Sequence, residues 1–176
     1  LAKAWRSSHS IPLALVTGSN GKTTVKEMIA SIFKAAAGEA HTLVTKGNLN
    51  NEIGLPLTLL KLRSTDRLAV VELGMNHPGE IERLAAWTQP DVALVNNAQR
   101  EHQEFMGSVE AVAKENAQVF NALSSDGVAV FPMDEVHSEM WAQMSQGKRI
   151  CRFGVNPKAE VVLLSSQWLK GAWQMN

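Results

Sequence analysis

Eight consecutive residues, Thr17-Gly18-Ser19-Asn20-Gly21-Lys22-Thr23-Thr24, constrain this chain more than any other stretch. An apolar run, Ile11 to Val16, precedes them, and a helix-period pattern follows. Strand, glycine-rich turn and helix in that order are the context that a phosphate-binding loop requires. Gly18 and Gly21 let the backbone turn sharply and bring N–H groups close to phosphate oxygens. A helix opening at Lys22 adds its unpaired N–H groups and the positive end of its dipole. Lys22 would place a point charge on the outer phosphates, and Thr23 or Thr24 a hydroxyl on the accompanying magnesium. The spacing is G-x-x-G-K-T-T. The longer G-x-x-x-x-G-K-[ST] pattern would put its first glycine at position 16, where Val16 stands. The helix after the loop is expected to bury a stripe of Val25, Met28, Ile29, Ile32, Phe33 and Ala36.

The 176 residues suffice for one domain with a full core. An apolar content of 45% and a charged content of 19% are ordinary for a globular chain. A formal net charge of +0 argues against nucleic acid as the main partner. No run approaches a membrane span, and no secretory signal opens the chain, so no membrane insertion is expected. Cys151, the single cysteine, excludes an internal disulfide and fits a reducing, cytoplasmic setting. The chain starts at Leu1 and stops after Gln167 to Asn176 without a turn or cap signal, so it reads as a piece of a longer protein. Residues 1–10 read as a helix end plus a linker from a preceding domain, and residues 11–176 as a central domain incomplete at its C-terminal end.

His41 to Thr45 reads as a short strand. Lys46 to Pro56 then holds three asparagines (Asn48, Asn50 and Asn51) and two glycines, the composition of a structured loop. It is either a turn-rich connection or a surface for a polar ligand. Leu68 to Gly74 is too continuously apolar for a half-exposed strand and belongs centrally in a parallel sheet. Glu72 interrupts it near the carboxyl end, where ligands of open α/β sheets bind. A carboxylate buried there is costly without a positive partner, so Glu72 is either magnesium-linked or salt-bridged. Asn76 to Ile81 opens the next helix. Asp91 to Asn96 is a third central strand, and the loop after it carries Asn97 and His102, with magnesium or phosphate contact open to the histidine.

Ser108 is an N-cap. The helix behind it has Asn116 on its apolar face, and a buried amide needs partners. Gly127 to Phe131 and Arg149 to Phe153 are further strands, with a helix around Trp141 between them. Residues 159–164 and 167–173 read as the start of an antiparallel element. The fold class is α/β, a mostly parallel central sheet flanked by helices.

Four stretches together resemble the central ATP-binding domain of the Mur ligases. They are TGSNGKTT (17–24), KGNLNNEIGLP (46–56), VELGMNHPGEI (71–81) and NNAQREHQEFMGS (96–108). The first is shared across the superfamily, folylpolyglutamate synthetases included. The second and third are similar to the branch that adds D-Ala-D-Ala to UDP-MurNAc-tripeptide in peptidoglycan precursor synthesis. The resemblance covers about residues 1–155. It implies a P-loop fold, ATP and Mg2+ as cofactors, and an acyl-phosphate mechanism. It also implies that Lys22, Glu72 and His102 are catalytic and that Gly18 to Thr24 and Asp134 hold nucleotide. Thr23, Glu72 and His102 would hold metal, and Asn48, Asn50 and Asn51 would face the acceptor substrate. UDP-MurNAc-tripeptide and D-Ala-D-Ala would be the partners of a monomer, and this chain alone would bind ATP weakly without ligating.

Two departures stand out. Many members of the family carry a carbamylated lysine where Asn116 stands, and Lys114, two residues away, is turned off that face. The family's asparagine near adenine falls on Pro132, with Asp134 matching. Two other readings remain: another branch of these ligases or a folylpolyglutamate-type enzyme, and a nucleotide-binding switch without ligase chemistry. The missing carbamylation site favours the switch. The combination of Lys22, Glu72 and His102 favours a ligase.

Overall fold

Apolar runs that alternate with helix-period stretches pair into parallel strands, because each crossover returns the chain to the same end of the sheet. The computed structural model, which describes residues 1–100 and 106–176, shows this outcome. The strands are β1 (Leu13–Thr17), β2 (Thr42–Val44), β3 (Leu68–Glu72), β4 (Val92–Val95), β5 (Val128–Pro132), β6 (Arg149–Gly154) and β7 (Val161–Val162). They form one seven-stranded sheet in the order β2-β3-β1-β4-β5-β6-β7. Every pairing in it is parallel. β4 is the middle strand, β1 and β3 lie between it and the edge strand β2, and all five residues of β1 are buried.

Among the described residues six α-helices accompany the sheet: α1 (Ala2–Ser7), α2 (Lys22–Ala37), α3 (Gly54–Leu59), α4 (Glu80–Thr88), α5 (Val109–Ala117) and α6 (Ser138–Met144). Alternation along the strands divides the core. Leu15, Val71 and Leu73 pack with residues of α3, α4, α5 and α6 on one face, where Phe120, Phe131 and Trp141 meet at ring separations of 5.8 and 6.0 Å. Ala14, Val16 and Val70 pack under α2 on the other face. The indole N–H of Trp141 donates to Ala113 O at 3.0 Å and ties α6 to α5.

The strands and helices fall close to the sequence expectation, with two differences. α2 packs Val25, Ile29 and Phe33 of the expected stripe against the sheet but is turned toward Lys26 and Ala30 relative to it. Met28 and Ile32 are 57% and 66% exposed, whereas Lys26 and Ala30 are buried. The turn at Gly21 sets that rotation, since it fixes how the helix leaves β1. The second difference is β7. The segment 159–164 was expected to begin an antiparallel element. Instead Val161 and Val162 add a short parallel strand to β6, held where Arg152 donates to the Glu160 carboxylate at 2.9 Å. The antiparallel element comes later, as the hairpin β8 (Ser166–Leu169) and β9 (Ala172–Met175). Its two-residue turn places Lys170 at φ 51° and Gly171 at φ 82°, the left-handed pair that a tight hairpin needs.

Residues 1–10 include a docked helix. The Arg6 side chain is buried and donates to Thr88 O at 2.7 Å, to Ile11 O and Gln89 O at 3.1 Å each, and to His9 O. It thereby caps the carboxyl end of α4, where unpaired carbonyls and the negative end of the helix dipole favour a cation. Trp5 adds an indole N–H bond to Leu62 O at 3.0 Å.

Candidate functional site

The strand order turns around at β1: the chain leaves β1 toward β2 and β3 on one side and returns to β4 on the other. In open parallel sheets, ligands bind outside the carboxyl ends of the strands at such a point. The glycine-rich loop follows β1 there, and the loop 96–99 follows β4 beside it.

The two loops grip each other. Ser19 N donates to Asn97 O at 3.1 Å, Asn20 N to Asn97 Oδ1 at 3.0 Å, and Asn97 Nδ2 to Asn20 O at 2.8 Å. Asn96 Nδ2 donates to the same Asn20 carbonyl at 2.6 Å, and Asn20 Nδ2 donates to Gln99 Oε1 at 2.6 Å. Ser19 Oγ accepts from Gln99 N at 2.9 Å. Gly18 has φ +129°, and a Cβ there would sit 3.0 Å from the Asn97 backbone. The contact therefore requires glycine twice over, for its φ and for its closeness. Sequence reasoning placed Asn97 in a loop without seeing this brace. The available signal was the Asn96-Asn97 pair immediately after an apolar strand.

At the mouth of the loop, Lys22 Nζ donates to Gly18 O at 2.6 Å and to Ser19 O at 2.9 Å. Gly21, at φ +78°, is the N-cap of α2. The first intrahelical bond of the cap runs from Val25 N to Gly21 O at 3.0 Å, so the N–H groups of Thr23 and Thr24 precede the helical ladder. Both threonines are exposed. Among the described residues no group accepts from the Thr23 or Thr24 N–H, while the Ser19 and Asn20 amides already serve the brace.

Glu72 ends β3 and is 2% exposed. Its N–H donates to Thr45 Oγ1 at 3.0 Å, and its Oε1 accepts from Asn50 Nδ2 at 2.8 Å. Its Oε2 is buried and has no hydrogen-bond partner among the described residues. A buried carboxylate held by one neutral donor is costly unless something positive meets it. Hard oxygen ligands of this kind suit Mg2+, which takes one or two carboxylates and completes its shell with phosphate and water. Among the described residues no cluster of three or more His, Cys, Asp or Glu forms a metal cage. Thr23 and Glu72 are the described residues expected to hold Mg2+. His102, the third expected ligand, lies outside the described residues.

The asparagine-rich loop divides its work. Asn50 holds Glu72, and its carbonyl accepts from Gly74 N at 2.9 Å. Asn51 Oδ1 accepts from Ile53 N at 3.1 Å and Gly54 N at 2.9 Å, capping the start of α3. Asn50 Nδ2 and Asn51 Oδ1, of two amides expected to face a substrate, thus bond within the protein. The Asn48 side chain makes no hydrogen bond among the described residues. Asp134, expected near adenine, has Oδ2 accepting from Val155 N at 2.7 Å and lies over Gly154, which ties the ends of β5 and β6 together.

Asn116 is 1% exposed and meets Thr17 Oγ1 at 2.8 Å, while Thr17 Oγ1 also lies 3.2 Å from Leu73 O. The hydroxyl has one proton for these two acceptors, and Asn116 Nδ2 is left without a partner among the described residues. The hydrogen count favours the reversed amide, with Nδ2 donating to Thr17, Thr17 donating to Leu73, and Oδ1 unpartnered. Beside it, Glu115 Oε1 accepts from Gly79 N at 2.9 Å and Ile81 N at 3.0 Å, closing the N-terminus of α4. Glu80 accepts from Asn76 N at 2.7 Å and His77 N at 3.2 Å. Burial works against the Glu80 charge, but these N–H groups and the His77 imidazole outweigh it together and hold the carboxyl below its usual range.

A cleft of about 650 Å³ runs along the free edge of β2 and reaches this region only at Thr45, Lys46 and Gly47. No helix among the described residues is long and apolar enough to cross a membrane.

Comparison with known proteins agrees with the geometry. The Mur ligase middle domain model matches residues 16–171. The chain is 42% identical over 142 residues to UDP-N-acetylmuramoyl-tripeptide–D-alanyl-D-alanine ligase of Haemophilus influenzae, covering 80% of this chain and 31% of that protein. It is 41% identical over 154 residues to the enzyme of the same name from Escherichia coli, covering 87% and 33%. It therefore spans about a third of the length of these relatives. A crystal structure of MurF from Acinetobacter baumannii superposes with a TM-score of 0.93 at 31% identity, over 99% of this chain and 38% of that one. MurF ligase from Thermotoga maritima in complex with ADP gives a TM-score of 0.86 at 27% identity, over 99% and 39%. With its loop, its sheet order and these matches, the chain belongs to the Mur ligase family, of which it carries the middle domain.

Proposed function

We propose that this chain is the ATP-binding domain of a cytoplasmic ligase that joins D-Ala-D-Ala to UDP-MurNAc-tripeptide. The observation that carries the reading is the pairing of the helix N-terminus after β1 with the buried Glu72 oxygen at the end of β3, both without a hydrogen-bond partner among the described residues. That is a site for phosphates on one side and for their cation on the other. Mg2+–ATP supplies the phosphoryl group that activates the tripeptide carboxylate as an acyl phosphate, which the amine of D-Ala-D-Ala then attacks.

The residues contribute position and charge, which is most of what phosphoryl transfer asks of a protein. Thr23 and Thr24 offer N–H groups and hydroxyls to the outer phosphates. Lys22 exchanges the Gly18 and Ser19 carbonyls for phosphate oxygens. Glu72, pinned by Asn50, presents a negative charge that needs no reorientation. Asn48 is the loop amide available to the acceptor substrate. His102 is assigned to the metal by family resemblance, and Asp134 to the nucleotide on the same ground. The relatives' names support this choice of substrates, and the ADP complex of the Thermotoga protein supports the nucleotide.

The test is ADP release by the full-length protein, with UDP-MurNAc-tripeptide present and D-Ala-D-Ala added or withheld, in wild type and Lys22→Ala. Release that needs both substrates and collapses in the variant is the expected result. Release indifferent to D-Ala-D-Ala would replace the ligase with a nucleotide-driven switch, the reading that Asn116 in place of a carbamylated lysine favours.

A further inference from the structure

Lys26 is a buried amine that the proposed chemistry leaves unused. It lies one helical turn beyond Lys22, on the same face of α2, and its side chain is 0% exposed. It sits beside an apolar layer of Ala14, Val16, Ala30 and Val70. A buried ammonium is expensive, and a methionine of similar length would fill the same space without that penalty. Its hydrogen bonds show what the charge does. Lys26 Nζ donates to Thr45 O at 3.0 Å and to the carboxylate of its neighbour Glu27.

Thr45 is the residue at which β2 passes into the asparagine-rich loop. Its N–H donates to Val70 O at 3.2 Å, and its hydroxyl accepts from Glu72 N at 3.0 Å. Glu72 Oε1 accepts from Asn50 Nδ2 at 2.8 Å, and Asn50 O accepts from Gly74 N at 2.9 Å. An unbroken path therefore runs from the helix that opens the phosphate site, through the end of β2, to the acid and the loop. Its first link is the one bond in the path that a long cationic side chain has to make, because α2 lies across the face of β2 and its own backbone groups are spent on the helix.

We propose that Lys26 is a positioning residue that fixes the asparagine-rich loop and Glu72 relative to the nucleotide helix. The role of Glu72 toward the cation rests on the function proposed above, whereas the placement of the loop does not. Two readouts follow, both on the 176-residue chain. In Lys26→Met, amide hydrogen exchange at residues 48–51 and 72–74 rises about tenfold or more, while the thermal midpoint stays at or above that of wild type. In the same variant, ADP affinity without Mg2+ is kept, and the gain in affinity on adding Mg2+ falls at least about tenfold.

Thr45→Val provides an independent arm. It removes the hydroxyl that receives Glu72 N but leaves the carbonyl that receives Lys26, so exchange rises at residues 72–74 and stays unchanged in α2. Unchanged exchange at residues 48–51 in Lys26→Met overturns the proposal. So does a uniform rise across the sheet, which would make Lys26 a general stabiliser. ADP that binds neither wild type nor variant refutes the nucleotide reading alone, and the exchange experiment still decides the placement.

Discussion

Gly54→Ala should dislocate the site from a distance. Gly54 opens α3, and a Cβ built on it would lie 2.4 Å from Leu49 Cα, 2.5 Å from Leu49 C and 2.8 Å from Leu49 Cβ. Carbon atoms make favourable contact at about 3.5–4.0 Å, so the Leu49 backbone must retreat by about 1 Å. The obstacle is main chain, which cannot rotate aside. Asn50 is the next residue, and its 2.8 Å bond to Glu72 would stretch toward ~3.8 Å, beyond hydrogen-bond range. Overpacking costs about 1–3 kcal/mol, and losing a bond to a charged acceptor about 1.5–3 kcal/mol. Against these stands at most about 1 kcal/mol gained in helix propensity. The net loss is about 1.5–5 kcal/mol, which at this chain length lowers the thermal midpoint by roughly 3–20 °C. Thermal unfolding reads the stability, and titration with ADP in the presence and absence of Mg2+ reads the site, where the Mg2+ enhancement should fall. Gly47→Ala, in the same loop with nothing within 4 Å of its Cβ but φ +56°, is the control and should cost only about 1 kcal/mol. A Gly54→Ala midpoint within about 2 °C of wild type would refute the reasoning, because the loop would then have slack that the close contact denies.

Two further outcomes test the frame around the site. Arg6→Met removes charge-assisted bonds to the Thr88 and Gln89 carbonyls and should cost about 3 kcal/mol, or roughly 6–12 °C in midpoint, with residues 1–10 becoming the first protease-sensitive segment; an unchanged midpoint would mean that α1 adds nothing to the domain. The Glu160 carboxyl is held down at about 2 by the Arg152 guanidinium and the Arg152 N–H. A depressed acid contributes stability above its unfolded value of about 4.5 and loses it as pH falls toward 2. The midpoint advantage of wild type over Glu160→Gln should therefore shrink across that window in unfolding runs from pH 7 to pH 2, and an advantage constant with pH would show that the pair contributes by packing alone.

What could be read from the sequence was whatever one segment determines by itself. The change from an apolar strand to glycines and then to helical period marked β1, the loop and α2 without any knowledge of neighbours. Glu72 was legible because a carboxylate inside a Val-rich run is costly anywhere. The rotation of α2 was not legible, since Met28 and Ile32 satisfy the helical period as well as Ala30 does, and only the exit angle at Gly21 decides between them. Asn51 could have been read as a helix cap from its place ahead of Gly54-Leu55-Pro56. Asn50 could not, because its partner lies 22 residues away on another strand. The Asn97 brace was hidden for the same reason, its contacts reaching 77 residues back to Asn20. β7 pairs through only two residues, too few for a periodic signal.

The alternation of the strands adds a consequence that no single segment contains. Val70 faces α2, so Glu72, two residues on, is directed to that same face and meets Thr45 and Asn50 there. Leu15 faces the α4 and α5 side, so Thr17 is directed to it and meets Asn116. The carboxyl edge of the sheet therefore offers a carboxylate from one face and a hydroxyl–amide pair from the other, with the glycine loop leaving between them. Each group is held by a partner on a different crossover: Glu72 by the loop after β2, and Thr17 by α5. A nucleotide seated on α2 would thus lie between two polar supports that are fixed independently. Removing one should weaken binding without displacing the other, so the losses from Asn50→Ala and Asn116→Ala should add, whereas those from Asn50→Ala and Lys26→Met, which lie on one path, should not.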